Sequence, residues 1–314
     1  MQIFSVPENP VPPRATVGAL TTSDGVRLRY ARWLPTAPRR GTVCVFQGRA
    51  EFIEKYFEVV EDLRGRGFAV ATLDWRGQGL SQRALSDRRK GYVRRFSDFD
   101  LDLEVFVKEV MLPDCPPPYF ALAHSMGGAI LMRAAHRNRR WFERMVFSAP
   151  MLGLVGPAAR RGAEITARIL RLIGFGGTYV PGGGATAIHS LPFQDNVLTS
   201  DPERYARAGA VLAAHPELAL GSPTVAWLAG AYAEMAAFAQ PSYPRSITQP
   251  ILIAAAGRDQ VVSTQAIEQF AIRLRAGSHV VIPKSQHEIL MEQDTIRGQF
   301  WAAFDAFVPG TPVF

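Results

Sequence analysis

Residues 119–136 impose the tightest constraint on how this chain folds. An apolar run, 119–123, leads directly into Ala123-His124-Ser125-Met126-Gly127, and a helix-like stretch begins at Gly128-Ala129-Ile130-Leu131. A strand that becomes a helix within so few residues needs small side chains two places either side of the turn, here Ala123 and Gly127. Such a turn lifts the Ser125 hydroxyl above the end of a sheet. The motif makes Ser125 a candidate nucleophile for acyl transfer, although Ala123 stands where the usual pattern has Gly. The plain alternative is an ordinary helix start capped by Ser125.

Context decides between the two. A serine hydroxyl is a weak nucleophile at neutral pH, so an imidazole must take its proton. A carboxylate must in turn fix the imidazole tautomer. Residues 250–262 read as a short apolar strand ending in a Gly-containing turn that carries Asp259. Residues 279–291 read as a second short strand, then a loop with His287, then a helix. The order is therefore Ser125, Asp259, His287, serine–acid–histidine along the chain. Asp74 competes for the acid role because it also ends a strand, but its setting, Asp74-Trp75-Arg76-Gly77, fits a structural ion pair better. Glu51 is expected to orient a nearby loop or cap a helix, and Glu288 to point away from His287.

These motifs together resemble the α/β-hydrolase superfamily. Within it they are most similar to the bacterial lysophospholipase L2 and monoacylglycerol lipase group of serine aminopeptidase S33-type hydrolases. The residues that carry the resemblance are Gln47-Gly48-Arg49-Ala50-Glu51, Tyr56, residues 74–81 (DWRGQGLS), His124-Ser125-Met126-Gly127-Gly128, Gly257-Arg258-Asp259 and Gln286-His287-Glu288. The resemblance covers residues 20–150 and 245–305 and implies a Ser125–His287–Asp259 triad. It also implies an oxyanion hole made by the backbone amides of Arg49 and Met126. Related lipases have His-Gly where this chain has Gln47-Gly48. Backbone donors survive that change, and Gln47 is expected to support the loop. The substrate implied is an ester of a single-chain lipid, a lysophospholipid or a monoacylglycerol. A broad carboxylesterase, a peptidase on the same fold, and a non-catalytic binding protein are the competing readings.

The rest of the chain agrees with this architecture. Strand-like segments alternate with helix-like ones up to Pro150 and again after residue 243, which predicts a mostly parallel sheet flanked by helices. A strand pair with an Asp24-Gly25 turn opens it. From 151 to 243 the alternation stops and the stretch turns helical and loop-rich, flanked by Gly153, Gly156, Pro157, Pro241 and Pro244. The expected organisation is a core in two parts, 1–150 and 244–314, with a helical cap, 151–243, inserted over the site. Within the cap, Ile165, Ile169, Leu172 and Ile173 form a helical stripe opposed by Arg160, Arg161, Glu164, Arg168 and Arg171. Docking on a membrane and packing of the stripe onto the protein itself are the two readings. Trp227, Tyr232, Met235 and Phe238 suit an acyl pocket or plain core.

Charge and cysteine usage bound the partners. The formal charge of +7 over 314 residues favours acidic partners. No nucleic-acid motif accompanies it, so anionic lipid is the expected contact, with a solvated basic surface as the bland alternative. The same choice applies to Arg83, Arg88, Arg89, Lys90, Arg94 and Arg95, which meet phosphate head groups or simply face water. Two cysteines, Cys44 and Cys115, read as free thiols in a reducing compartment. The proline-rich start (Pro7, Pro10, Pro12, Pro13) does not read as a signal peptide. The expected location is cytoplasmic, with peripheral contact at the inner membrane face. Six histidines without ligand spacing predict no metal site, and no cofactor is expected. His136, His189, His215 and His279 read as packing or surface residues.

Overall fold

The structure, a computed structural model, describes residues 1–36, 40–156 and 161–308. Its centre is an eight-stranded sheet: β1 (Ala15–Thr21), β2 (Arg27–Trp33), β3 (Thr42–Phe46), β4 (Ala69–Leu73), β5 (Tyr119–His124), β6 (Arg144–Ser148), β7 (Ile251–Ala256) and β8 (Gly277–Ile282). The spatial order is β1-β2-β4-β3-β5-β6-β7-β8. The β1–β2 and β2–β4 pairs are antiparallel, and the pairs from β4 to β8 are parallel. This is the α/β-hydrolase architecture, with β1 and β2 joined through the Asp24-Gly25 turn as the sequence predicts.

Burial explains why these residues form these strands. Every residue of β3, β4 and β7 is buried. A parallel sheet covered by helices on both faces requires such unbroken apolar runs. Edge strands β1 and β8 are largely exposed or half-buried instead. The flanking helices include Phe57–Gly65, Phe99–Phe106, Met126–His136, Thr264–Ala271 and Asp294–Phe307. Two of these are composite: a 3-10 turn, Ile53–Tyr56, leads into Phe57–Gly65, and a π-helical turn, Val107–Met111, extends Phe99–Phe106. Cys44 and Cys115 are buried free thiols, and burial pushes the Cys115 thiol up to about 11. Both are therefore poor nucleophiles.

The strand order reverses across β3: the chain leaves β3 for β4 on one side, and β5 lies on the other. Loops at the carboxyl ends of strands that flank such a switch point open a crevice. Residues 47–51 follow β3 and Ser125 follows β5, so both border it.

Between β6 and β7 the described residues contain helices Arg161–Leu172, Pro202–Ala214, Val225–Phe238 and Ser242–Ser246, and no strand. Asp201 caps the second through its carboxylate, which accepts from the Glu203 and Arg204 amides, and Pro202 occupies the first turn. This segment is fastened to the loop that carries His287. The Glu288 amide donates to Leu198 O at 2.8 Å, Thr199 Oγ1 donates to Met291 O at 2.7 Å, and the Ser200 amide donates to Glu292 at 3.0 Å. Arg204 adds ion pairs to Glu58 and Asp294, each at 2.6 Å.

The helix Arg161–Leu172 corrects one sequence expectation. It packs inward through small residues, Ala167 and, less fully, Ala163. The stripe of Ile165, Ile169, Leu172 and Ile173 faces outward, with Leu172 85% exposed. Packing of the stripe onto the protein is excluded. Pro157, Arg160 and the Arg161 side chain lie outside the described residues. Of the six cations between 83 and 95, only Arg83 is buried. Among the described residues no helix is long and apolar enough to cross a membrane, and no cluster of side chains has metal-binding geometry.

Candidate active site

Ser125 sits on the turn between β5 and the helix Met126–His136 with φ 48° and ψ −114°. A non-glycine residue in this region is strained. The surroundings hold it there: the Ser125 amide donates to Ser148 O at 3.1 Å, and its carbonyl accepts from Met151 at 3.0 Å and Ala129 at 3.2 Å. Gly127 permits the turn because a Cβ there would lie 2.4 Å from Phe46 O and 2.6 Å from Gln47 O. The helix start is thus pressed against the end of β3. Ala123, by contrast, is accommodated as a fully buried β5 residue.

The three residues separated widely in sequence meet here. Ser125 Oγ lies 3.0 Å from His287 Nε2, and His287 Nδ1 lies 2.8 Å from Asp259 Oδ2. The carboxylate accepts from Nδ1–H, which leaves the Nε2 lone pair facing the serine hydroxyl. Asp259 Oδ1 accepts from the Val261 and Val262 amides at 2.8 and 2.9 Å, which fixes the carboxylate. Burial pushes its pKa up, but His287 and these two amides outweigh burial and hold it below the usual carboxylate value. Ser125 and His287 are buried at the floor of a cleft of about 560 Å³.

The loop after β3 supplies donors. Of its consecutive amides, Gly48 N donates to Glu51 Oε2 and Ala50 N to Gln78 Oε1 at 3.3 Å. The Arg49 amide between them has no protein acceptor among the described residues, nor has the Met126 amide. Gln78 further clamps the loop by donating to Gly48 O at 2.8 Å. Gln47 does not support the loop with its side chain, contrary to expectation. Its amide turns into the sheet and donates to Thr72 Oγ1 at 3.2 Å, while only its backbone carbonyl holds the Trp75 indole at 3.0 Å. Asp74 is an ion-pair residue as expected, 2.7 Å from the Arg29 guanidinium.

A buried charge network underlies the loop. Lys55 Nζ donates to Glu51 Oε1 and to Glu288 Oε1, both at 2.6 Å. The Tyr56 hydroxyl donates to Glu51 Oε2 at 2.8 Å. Burial disfavours the Lys55 charge, yet Glu288 and Glu51 raise its pKa above the ordinary lysine value. His124 donates from Nδ1 to Ser148 O at 3.0 Å and packs 4.7 Å, centroid to centroid, from the His287 ring. Sequence reading placed Glu51 and Glu288 approximately but missed Lys55, which joins them. It also missed that buried His189 lines the cleft, 3.6 Å from Glu288. Trp227 lines the cleft, whereas Tyr232, Met235 and Phe238 pack in the core.

Comparison with known proteins identifies the family. The family model described as "Serine aminopeptidase, S33" matches residues 37–294. Lysophospholipase L2 of Escherichia coli K12 is 33% identical over 293 residues, covering 88% of this chain and 82% of that protein. Human monoglyceride lipase is 30% identical over 161 residues, 49% of each chain. A solved structure of a Saccharomyces cerevisiae monoglyceride lipase variant with a substrate analogue superposes with a TM-score of 0.72 at 19% identity, covering 94% of this chain and 97% of that one. With a catalytic-type constellation on the matching fold, the chain belongs to the serine aminopeptidase S33 family of α/β-hydrolases and is a carboxylic ester hydrolase.

Proposed function

We propose that this hydrolase cleaves esters of single-chain lipids, lysophospholipid or monoacylglycerol, through Ser125, His287 and Asp259. The observation that carries the reading is the continuous hydrogen-bonded line Asp259–His287–Ser125, at 2.8 and 3.0 Å, opening onto an apolar cleft. His287 takes the Ser125 proton as Oγ attacks the ester carbonyl. The Arg49 and Met126 amides hold the developing oxyanion. His287 then protonates the leaving alcohol, and water, activated by the same imidazole, hydrolyses the acyl-enzyme. Leu154, Val155, Val180, Ile188, Leu191 and Leu198 line the cleft and suit an acyl chain. The helical segment 151–243 supplies all six and acts as a cap that excludes water.

Esters are favoured over aminopeptidase substrates by the cleft's own charges. The carboxylates lining it among the described residues are Glu51 and Glu288, and both already accept from Lys55. Neither is free to receive a peptide's ammonium group.

Ser125→Ala is expected to lower kcat for both lipid classes by on the order of 10^4 to 10^6 and to abolish fluorophosphonate labelling. Full retention of lipid hydrolysis in Ser125→Ala would refute the assignment. Activity confined to short p-nitrophenyl esters would replace it with a general carboxylesterase.

The outward stripe of the helix Arg161–Leu172 supports peripheral docking on an anionic bilayer. Leu172 and Ile169 lie beside Arg168, which is 71% exposed. Insertion of such side chains contributes about 1.5–3 kcal/mol each when fully buried. Wild type is therefore expected to sediment with phosphatidylglycerol vesicles, and Ile169→Ser/Leu172→Ser to bind on the order of a hundredfold more weakly. Equal binding by both proteins would remove this face from consideration.

A further inference from the structure

The arginines of this protein divide into two kinds. Buried Arg29 meets Glu54 at 2.6 Å and Asp74 at 2.7 Å, and buried Arg76 meets Asp102 at 2.7 Å and Asp24 at 2.8 Å. Buried Arg297 pairs with Glu58 and Asp62. Arg49 and Arg83 do otherwise. Neither has a carboxylate within 4.0 Å among the described residues. Arg83 donates to the backbone carbonyls of Gly77 and Gly79, and its Nε, like that of Arg49, is buried without an acceptor, but Arg83 does not line the cleft. Among the described residues the Arg49 side chain makes one hydrogen bond, from Nη2 to Gly221 O at 2.6 Å, and lies 5.2 Å over the Trp227 ring. Its Nε is buried without an acceptor. Gly221 and Trp227, the two groups that hold it, line the cleft with Arg49 itself. Burial, with repulsion from Arg83, lowers the Arg49 pKa to about 9, so the group is still a cation at neutral pH.

A cation in this setting lacks the counter-charge that buried Arg29, Arg76 and Arg297 possess. Its position says where a counter-charge would come from. Arg49 is the residue whose backbone amide is left free beside Ser125, so its side chain begins at the carbonyl subsite. In a lysophospholipid the phosphate is separated from the scissile ester only by the glycerol carbons. A guanidinium presents parallel N–H groups that match phosphate oxygens in a bidentate pair. A monoacylglycerol offers only hydroxyls at that point and leaves the cation unpaired.

We infer that the Arg49 side chain is a specificity-determining group that receives the phosphate ester of a lysophospholipid head group during turnover at Ser125. The inference rests on the proposed lipid hydrolysis but makes a separate claim, that one residue sets the preference between phosphorylated and neutral glycerol esters.

The test compares lysophosphatidylethanolamine and monoacylglycerol of the same acyl chain on wild type, Arg49→Met and Arg49→Lys, each verified as folded by thermal melting. The quantity read is the ratio of kcat/KM values, phospholipid over neutral lipid, because any common loss through the shared loop cancels. Arg49→Met is expected to lower this ratio at least tenfold, and Arg49→Lys, which keeps the charge but not the fork, to lower it less. Glycerol 3-phosphate should bind wild type by calorimetry and Arg49→Met at least tenfold more weakly, with glycerol as the neutral control. An unchanged ratio, or no binding of glycerol 3-phosphate to wild type, overturns the inference. Equal binding of inorganic phosphate and glycerol 3-phosphate also overturns it, since the site would then read free phosphate and not a head group. If wild type hydrolyses neither lipid, the functional proposal fails, and calorimetry still decides whether Arg49 binds a phosphate ester.

Discussion

Two groups of buried charge flank Ser125, and they are built on opposite principles. On one side Glu51, Lys55, Glu288 and Tyr56 form a closed set, each charge facing an opposite one at 2.6 Å. On the other side Arg49 and Arg83 hydrogen-bond to carbonyl oxygens, Arg49 lies over the Trp227 ring, and neither has a carboxylate within 4.0 Å among the described residues. The closed set connects the loop after β3 to the loop after β8. It therefore keeps the free Arg49 amide and the His287 ring in one frame. The open pair reaches the segment between β6 and β7 only through backbone carbonyls, Arg49 to Gly221 O and Arg83 to Glu217 O, with no opposite charge in either contact. Satisfied charges serve geometry, whereas an unsatisfied one at a cleft wall keeps its binding capacity for something that arrives later.

Breaking the closed set should produce the largest effect. Lys55→Met leaves two carboxylates facing each other without their shared cation. Removing one partner of a buried ion pair costs about 3–5 kcal/mol, so urea unfolding should show a loss of that order, together with a fall in kcat as the loop relaxes. Arg49→Met is the contrasting change. It deletes one hydrogen bond to Gly221 and relieves an unpaired charge, so its stability cost should be about 1 kcal/mol or less. Equal losses for the two variants would show that the distinction between the sets is not energetic.

A smaller effect sharpens the same picture through pH. Burial depresses the His124 pKa below its ordinary 6.5, and Glu51 offsets this only in part. The folded protein thus binds this proton less readily than the unfolded chain. The corresponding stability is fully present above pH 6.5 and is lost as pH falls from there through the folded value. Melting temperature should decline on acidification from pH 7 to pH 5, ahead of the carboxylates of Glu51 and Glu288, whose pKa values lie below 4.5. His124→Asn, which keeps a donor near the Nδ1 position, should flatten the decline. Identical slopes would assign it to another group.

Much of this was legible in the sequence because local requirements were strong. The elbow could be read because Ser125 needs a tight turn, and a tight turn needs Gly127. Asp259 and His287 could be read because each follows a strand ending. Partnerships set by tertiary contact were not legible. Lys55 sits on a helix that looks merely amphipathic, yet its ammonium bridges Glu51 and Glu288, which are 237 residues apart in the chain. The Gln47 side chain looked like loop support because of its neighbours, but β4 offers it Thr72 and the loop already has Gln78. The Ile165–Ile169 stripe looked like a packing face because apolar periodicity gives a direction only relative to the helix. Ala163 and Ala167 won the inner position because small side chains allow close approach to the helix Val225–Phe238.

The missing methyl at Gly127 has a consequence beyond the turn itself. By letting the first helical turn rest on the carbonyls of Phe46 and Gln47, it sets a length, the gap between the two amides that flank the serine. That gap behaves as a calibrated gauge carried by the sheet and independent of the roof. Substitutions among the helices between β6 and β7 can alter which molecules enter while the gauge keeps its setting. Acyl-chain selectivity and turnover would then be carried on separate parts of the chain, while the head-group preference proposed for Arg49 stays on the loop that carries the gauge.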